Sequence, residues 1–135
     1  METARLIGVL LSWTAQLSGY AYPSTAPQLE RVQREYLVEH ACGGDAHCRV
    51  VAWYDDKNTI YLDDRVEDLE DPIVRSVIVH ELVHYLQDLS GKFDALKCED
   101  QLTREREAYS VQRTYLNRIA GRFAATYPPG FAPCT

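Results

Sequence analysis

Residues 71–91 read Asp71-Pro72-Ile73-Val74-Arg75-Ser76-Val77-Ile78-Val79-His80-Glu81-Leu82-Val83-His84-Tyr85-Leu86-Gln87-Asp88-Leu89-Ser90-Gly91. Asp71 is a helix cap, Pro72 suits a first turn, and Ser90-Gly91 offers a stop after the last apolar residue. The segment therefore predicts a helix from about Pro72 to Leu89. Ile73, Val77, the His80/Glu81 step, His84 and Asp88 fall along one stripe, which turns the histidines inward. Positions four apart lie one above the other on a helix, so His80 and His84 can offer two imidazoles to one ion. Glu81, one residue along, can take a proton from water beside it. This is the H-E-x-x-H arrangement, in which zinc is the Lewis acid and glutamate the general base. Three fixed letters in five recur by accident. Burying two histidines and a glutamate without a task would, however, leave polar groups unpaired at a cost.

A catalytic zinc site needs a third protein ligand and one open position. Downstream, residues 102–112 begin a second strong helix, with Leu102, Tyr109, Leu116, Ile119 and Phe123 as its apolar positions. Glu105 and Gln112 complete that stripe, and a core-facing glutamate needs a positive partner. Glu105 is the expected third ligand. Glu107, the alternative, falls nearer the opposite side with Arg104, Val111 and Arg118. It reads as a solvated partner of Arg104, Arg106 and Arg113.

His80-Glu81-Leu82-Val83-His84, followed about twenty residues later by Glu105-Arg106-Glu107-Ala108-Tyr109, resembles the gluzincin class of zinc metallopeptidases. The likeness covers roughly residues 49 to 116 and is to minimal versions of that fold. It implies a zinc ion on His80, His84 and Glu105, with Glu81 as the base and a peptide or protein substrate. Ala108 matches the small residue three positions after the ligand, whereas Tyr109 stands where the class usually has an aspartate. On geometry, Tyr109 is one turn past Glu105 and is the candidate oxyanion stabiliser. The class also implies a strand before the zinc helix that pairs with extended substrate. Carried over, this is the strand Thr59 to Leu62.

The segments 49–54 and 59–62 are rich in β-branched and aromatic residues, and Asp55-Asp56-Lys57-Asn58 between them is turn chemistry, so the pair reads as a hairpin. A first helix is expected from about Ala26 to His40, with Leu29, Val32, Tyr36 and Leu37 on one side. Together these elements predict one α+β domain. At 135 residues there is room for one modest core. A formal net charge of −6, with no basic cluster among aromatics, argues against a nucleic-acid partner.

Residues 6–13 form a short apolar stretch after Arg5, and Gly19-Tyr20-Ala21 offers small residues around a cut after Ala21. That is the shape of a secretory leader over 1–21, leaving 22–135 as the domain; the alternative is an N-terminal helix packed on it. The stretch is too short to span a bilayer. The chain has 4 cysteines, an even count that reads as two disulfides in a secreted or periplasmic chain. Three connectivities exist, of which Cys42 with Cys48 and Cys98 with Cys134 is expected. A structural zinc site using His47 is disfavoured because paired C-x-x-C units are missing. The functional alternative to a hydrolase is a secreted, disulfide-stapled metal-binding or interaction domain. A fourth protein ligand such as His47 would mark that case. A hydrolase of non-peptide amides is a third.

Overall fold

A computed structural model describes residues 3–121 and 134. The chain is α+β: α1 (Thr3–Ser18), β1 (Gln28–Val32), α2 (Arg34–Ala41), β2 (Ala52–Tyr54), β3 (Thr59–Asp63), α3 (Pro72–Ser90) and α4 (Cys98–Thr114), followed by one π-helical turn, Tyr115–Ile119. No helix among the described residues is long and apolar enough to cross a membrane.

The expected central helix forms within a residue of its expected end. The Asp71 carboxylate accepts from the Ile73 N–H at 2.8 Å, and Gly91 closes the helix at φ 66°, a left-handed conformation that glycine adopts without strain. Every residue from Ile78 to Gln87 is buried, so α3 is enclosed on all sides rather than along one stripe. The sheet, α1 and α4 surround it.

The hairpin also forms, β2 pairing antiparallel with β3. Asp55 builds its turn by accepting from the N–H groups of Lys57, Asn58 and Thr59. The helix expected over 26–40 is corrected. Only Arg34–Ala41 is helical, whereas Gln28–Val32 is a strand paired parallel with β3, Gln28 opposite Thr59. Residues with a helix-like spacing of Leu29 and Val32 are taken by a sheet partner far along the chain, and tertiary pairing outweighs local propensity. The strand order is β1-β3-β2, so β3 is central and both its edges are occupied. It therefore has no open edge for substrate, and the expectation carried over to Thr59–Leu62 fails. The free edge nearest α3 belongs to β2.

The stretch read as a leader is α1, with Leu6, Ile7, Leu10 and Leu11 fully buried against Ile78, Leu82 and Leu86 in one cluster. The second motif helix starts earlier than expected, at Cys98, with Glu99 and Asp100 in its first turn where the helix dipole favours acids. Its regular part ends at Thr114, and Gly121 takes φ 67° beyond the π turn. Phe123, the last apolar position of the expected stripe, lies outside the described residues. The buried face of α4 carries Arg104, Ala108, Val111 and Gln112. Arg104 and Val111, expected on the solvent side, thus face the core, because α1 and α3 both pack on this helix.

Both expected disulfides are present, Cys42–Cys48 and Cys98–Cys134. Loop-closure entropy makes the second worth more, about 4 kcal/mol for a separation of 36 residues against about 2 kcal/mol for 6. Cys98→Ser with Cys134→Ser should lower the urea midpoint more than Cys42→Ser with Cys48→Ser. Equal midpoints would refute that ordering.

Candidate metal centre

α3 and α4 lie side by side, and Ala108, fully buried, presents no more than a methyl group to the seam. From α3, the rings of His80 and His84 lie 5.0 Å apart, one turn from each other. From α4, the Glu105 carboxylate reaches both, Oε1 to His84 Nε2 at 2.6 Å and Oε2 to His80 Nε2 at 3.4 Å. The donor atoms of His80, His84 and Glu105 all lie within 4.8 Å of one another, close enough to hold one metal ion. Two imidazoles and a carboxylate suit a divalent metal such as zinc.

The other ring nitrogen of each histidine meets a glutamine. His84 Nδ1 is 2.8 Å from Gln87 Oε1, and His80 Nδ1 is 3.0 Å from Gln112 Oε1. Donor counting fixes who donates. The Gln87 amide N–H groups go to the Arg104 carbonyl and the Glu107 carboxylate, both at 3.1 Å and both able only to accept. Its oxygen therefore faces His84, and also accepts from Arg104 Nε at 3.2 Å. His84 Nδ1 must carry the proton. For His80 the chain runs through Ser76, whose one hydroxyl proton goes to the Ile73 carbonyl at 2.7 Å. Ser76 can then only accept from Gln112 Nε2, at 3.3 Å, which turns the Gln112 oxygen to His80. Both Nδ1 atoms donate, and both Nε2 atoms point at Glu105. This is the orientation that a metal-binding imidazole needs. Gln87 and Gln112 thus fix the tautomer and the ring orientation of the two histidines. Gln87 was missed in the sequence, although its place three residues after His84, on the same helix face, was the available signal.

The electrostatics follow from burial and from this pairing. Burial would raise the Glu105 carboxyl, but the hydrogen bonds and charges of His80 and His84 hold it well below the usual range. For His84, burial opposes charge, yet the hydrogen bond with Glu105 and the charge of Glu81 raise it overall. The carboxylate and the two Nε2 atoms thus converge on one place, the donor set that suits a cation.

Glu81 is buried beside the two histidines and takes no place in the three-donor group. Burial pushes its carboxyl up, against the charges of His84 and His80 and the Tyr54 N–H. That N–H lies 3.2 Å from Glu81 Oε1. The sheet explains why it is available. Val51 and Asp55 bond inward to β3, so by antiparallel alternation Ala52 and Tyr54 turn their backbone groups outward, toward α3. A cleft of about 620 Å³ opens here, walled by β2 on one side and by His80, Glu105 and Tyr109 on the other.

Tyr109 is half-buried, its ring edge-on to His80 with centroids 4.4 Å apart. Burial, then the charges of Glu105 and Glu81, raise its hydroxyl, which therefore stays a donor. Glu107 is not a solvated arginine partner. It accepts from Tyr20 and Gln87 and pairs with Lys92 at 3.8 Å. His47 is exposed in the loop closed by Cys42 and Cys48, away from the three-donor group, and His40 stacks against Trp53 and Tyr36.

A family model described as a domain of unknown function, DUF6647, matches residues 1–123. The chain belongs to the DUF6647 family. No curated protein and no solved structure matches it. The match spans every helix and strand of the DUF6647 fold described above, α1 included.

The zinc expected on His80, His84 and Glu105 is tested by native mass spectrometry, with one zinc per chain as the expected result. His80→Ala or His84→Ala should abolish tight binding, and Glu105→Gln should weaken it, since a neutral amide is a poorer zinc ligand. Equal zinc content in wild type and all three variants would remove the site.

Proposed function

We propose that this chain is a zinc-dependent hydrolase, a metallopeptidase of gluzincin type with His80, His84 and Glu105 as ligands. The observation that carries this reading is the position of Glu81. A carboxylate buried next to two imidazoles, outside the donor group and open to a cleft, has the place of a base.

Zinc held there supplies Lewis acidity, polarising a carbonyl and making water a nucleophile near neutral pH. Glu81 takes the proton from the attacking water and delivers it to the leaving amine. Tyr109, at the cleft wall against His80, donates its hydroxyl to the oxygen that gains charge. The substrate lies along β2, whose outward Ala52 N–H and C=O and Tyr54 C=O offer the edge that β3 cannot, the Tyr54 N–H being held by Glu81, and an extended peptide adds to it there. Two disulfides support an oxidising working environment, as in secreted or periplasmic proteins. Against a purely structural metal site, the group comprises three donors among the described residues and His47 is not one of them.

Glu81→Gln should keep fold and zinc while lowering hydrolysis of unstructured peptides and casein by about 10²- to 10⁴-fold, the range of a general base. Wild-type protein that cleaves nothing when zinc-loaded, or Glu81→Gln that cleaves as fast, would leave the metal-binding domain as the better reading.

A further inference from the structure

Glu107 was expected at the surface among arginines, yet it is the meeting point of three side chains from three parts of the chain. Tyr20, just past the end of α1, donates its hydroxyl to Glu107 Oε1. Gln87 of α3 donates an amide N–H to the same oxygen at 3.1 Å. Lys92 lies 3.8 Å from Oε2 and 5.8 Å from the centre of the Tyr20 ring. Burial, and then the bond to Glu107, raise the Tyr20 hydroxyl, so it holds its proton for donation. The segment after α1 is tied down as well, because the Tyr85 hydroxyl of α3 donates to the Thr25 carbonyl.

Gln87 links this cluster to the metal centre. Its N–H groups face acceptors only, and that polarity turns its oxygen to the Nδ1–H of His84 at 2.8 Å. Of the two groups that hold its N–H side, one is a backbone carbonyl of α4 and the other is Glu107. Glu107 in turn has a neutral donor in Tyr20, which keeps its Oε1 aimed at Gln87. Tyr20 and Glu107 do not line the cleft.

We propose that Tyr20 and Glu107 are positioning residues of the metal centre: through Gln87 they hold the ring of His84, so that α1 completes the site from behind. The proposal rests on the zinc-hydrolase reading for its consequence, zinc affinity, but the hydrogen-bond chain exists in the metal-free protein. It makes α1 part of the working domain. A cut after Ala21 would remove Tyr20 along with Leu6, Ile7, Leu10 and Leu11, and so would slacken His84 as well as open the core.

The test uses the full-length chain with Tyr20→Phe, Glu107→Ala, Glu107→Gln and Gln87→Ala. Solvent exchange of the His84 Nδ1–H is followed by NMR without metal, and zinc affinity by competition with a chelator. Gln87→Ala should weaken zinc by about 10- to 100-fold, the usual effect of losing a ligand's hydrogen-bond partner. Glu107→Ala and Tyr20→Phe should weaken it by smaller factors, and all three should speed Nδ1–H exchange. Glu107→Gln, whose amide oxygen still accepts from both neighbours, should recover most of the loss. Tyr20→Phe added to Gln87→Ala should cost nothing further, because the path is already cut. Additive losses would overturn the proposal, since they would mean that Tyr20 acts through packing alone. So would unchanged exchange and affinity in Tyr20→Phe and Glu107→Ala. Tyr20→Phe removes one hydroxyl, so the cycle stands if Glu107→Ala does not fold. Wild type that binds no zinc while the exchange rates respond as expected would sink the metal reading and leave the positioning chain intact.

Discussion

Two imidazoles and a carboxylate buried in one helix seam are tolerable only if every polar atom has a partner, and much of this structure follows from that requirement. An unpaired polar group in such a seam costs a few kcal/mol, a large fraction of the stability of a small domain. His80 and His84 therefore each need an acceptor for Nδ1 as well as Glu105 for Nε2. The acceptors are amides whose own N–H groups must be satisfied in turn, and so the network spreads outward. From His80 it runs through Gln112 and Ser76 to a carbonyl of the first turn of α3. From His84 it runs through Gln87 to α4 and, by Glu107, to the end of α1. The two helices that carry the ligands are fastened by the same bonds that orient the ligands. The two rings fixed in this way already face a cation, which is the advantage of preorganisation in a binding site, whereas Glu105, 2.6 Å from His84 Nε2, has to draw back to admit one.

What could be read in the sequence was what local spacing encodes. The α3 helix, its cap and its stop, the Asp55 turn and the closure of Cys42 on Cys48 all depend on residues within a few positions of one another. β1 was not legible because its partner, β3, begins 31 positions later (Thr59 against Gln28) and nothing in Gln28–Val32 announces a parallel neighbour. The face of α4 was read from a seven-residue spacing of Leu102, Tyr109 and Leu116, which points to one side of its buried face. Its buried positions, Arg104, Ala108 and Val111, are offset from that stripe, because α1 and α3 together cover more of the helix than one neighbour would. Glu105 borders both stripes, and so its inward direction was legible from the wrong one. Glu107 borders the buried one, between Arg104 and Val111, and its place against the end of α1 depends on a contact 87 positions away that local spacing does not show.

The orientation of the sheet decides which backbone can meet a substrate. With β1 on one side of β3, the hairpin is anchored and its other strand becomes the edge over α3. β2 is only three residues long, Ala52–Tyr54, and a short edge offers few unpaired groups to other chains. Its approach to α3 brings the Tyr54 N–H to Glu81, which accounts for a backbone donor spent on a side chain in a strand that lacks a second neighbour. The same N–H favours the charged carboxylate, the form able to accept a proton, while burial favours the neutral one.

The disulfides sit where the elements of the centre are least supported by packing. Cys48 is buried a few residues before β2, and its bridge to Cys42 closes the loop that delivers that strand from α2 to the cleft. Cys98 opens α4, two turns before Glu105, and its bridge to Cys134 holds the exposed start of a helix whose first three residues are otherwise lightly packed. Cross-links restrict the unfolded chain most, but they also limit local opening of the segments they close. The cleft strand and the ligand helix are thus each pinned on the side away from the core, while α3 between them is held by the core itself. The centre is thus assembled from elements that are each cross-linked or packed in the core, and the 3.2 Å from Glu81 to the Tyr54 N–H is set between a helix and a strand, not by a loop.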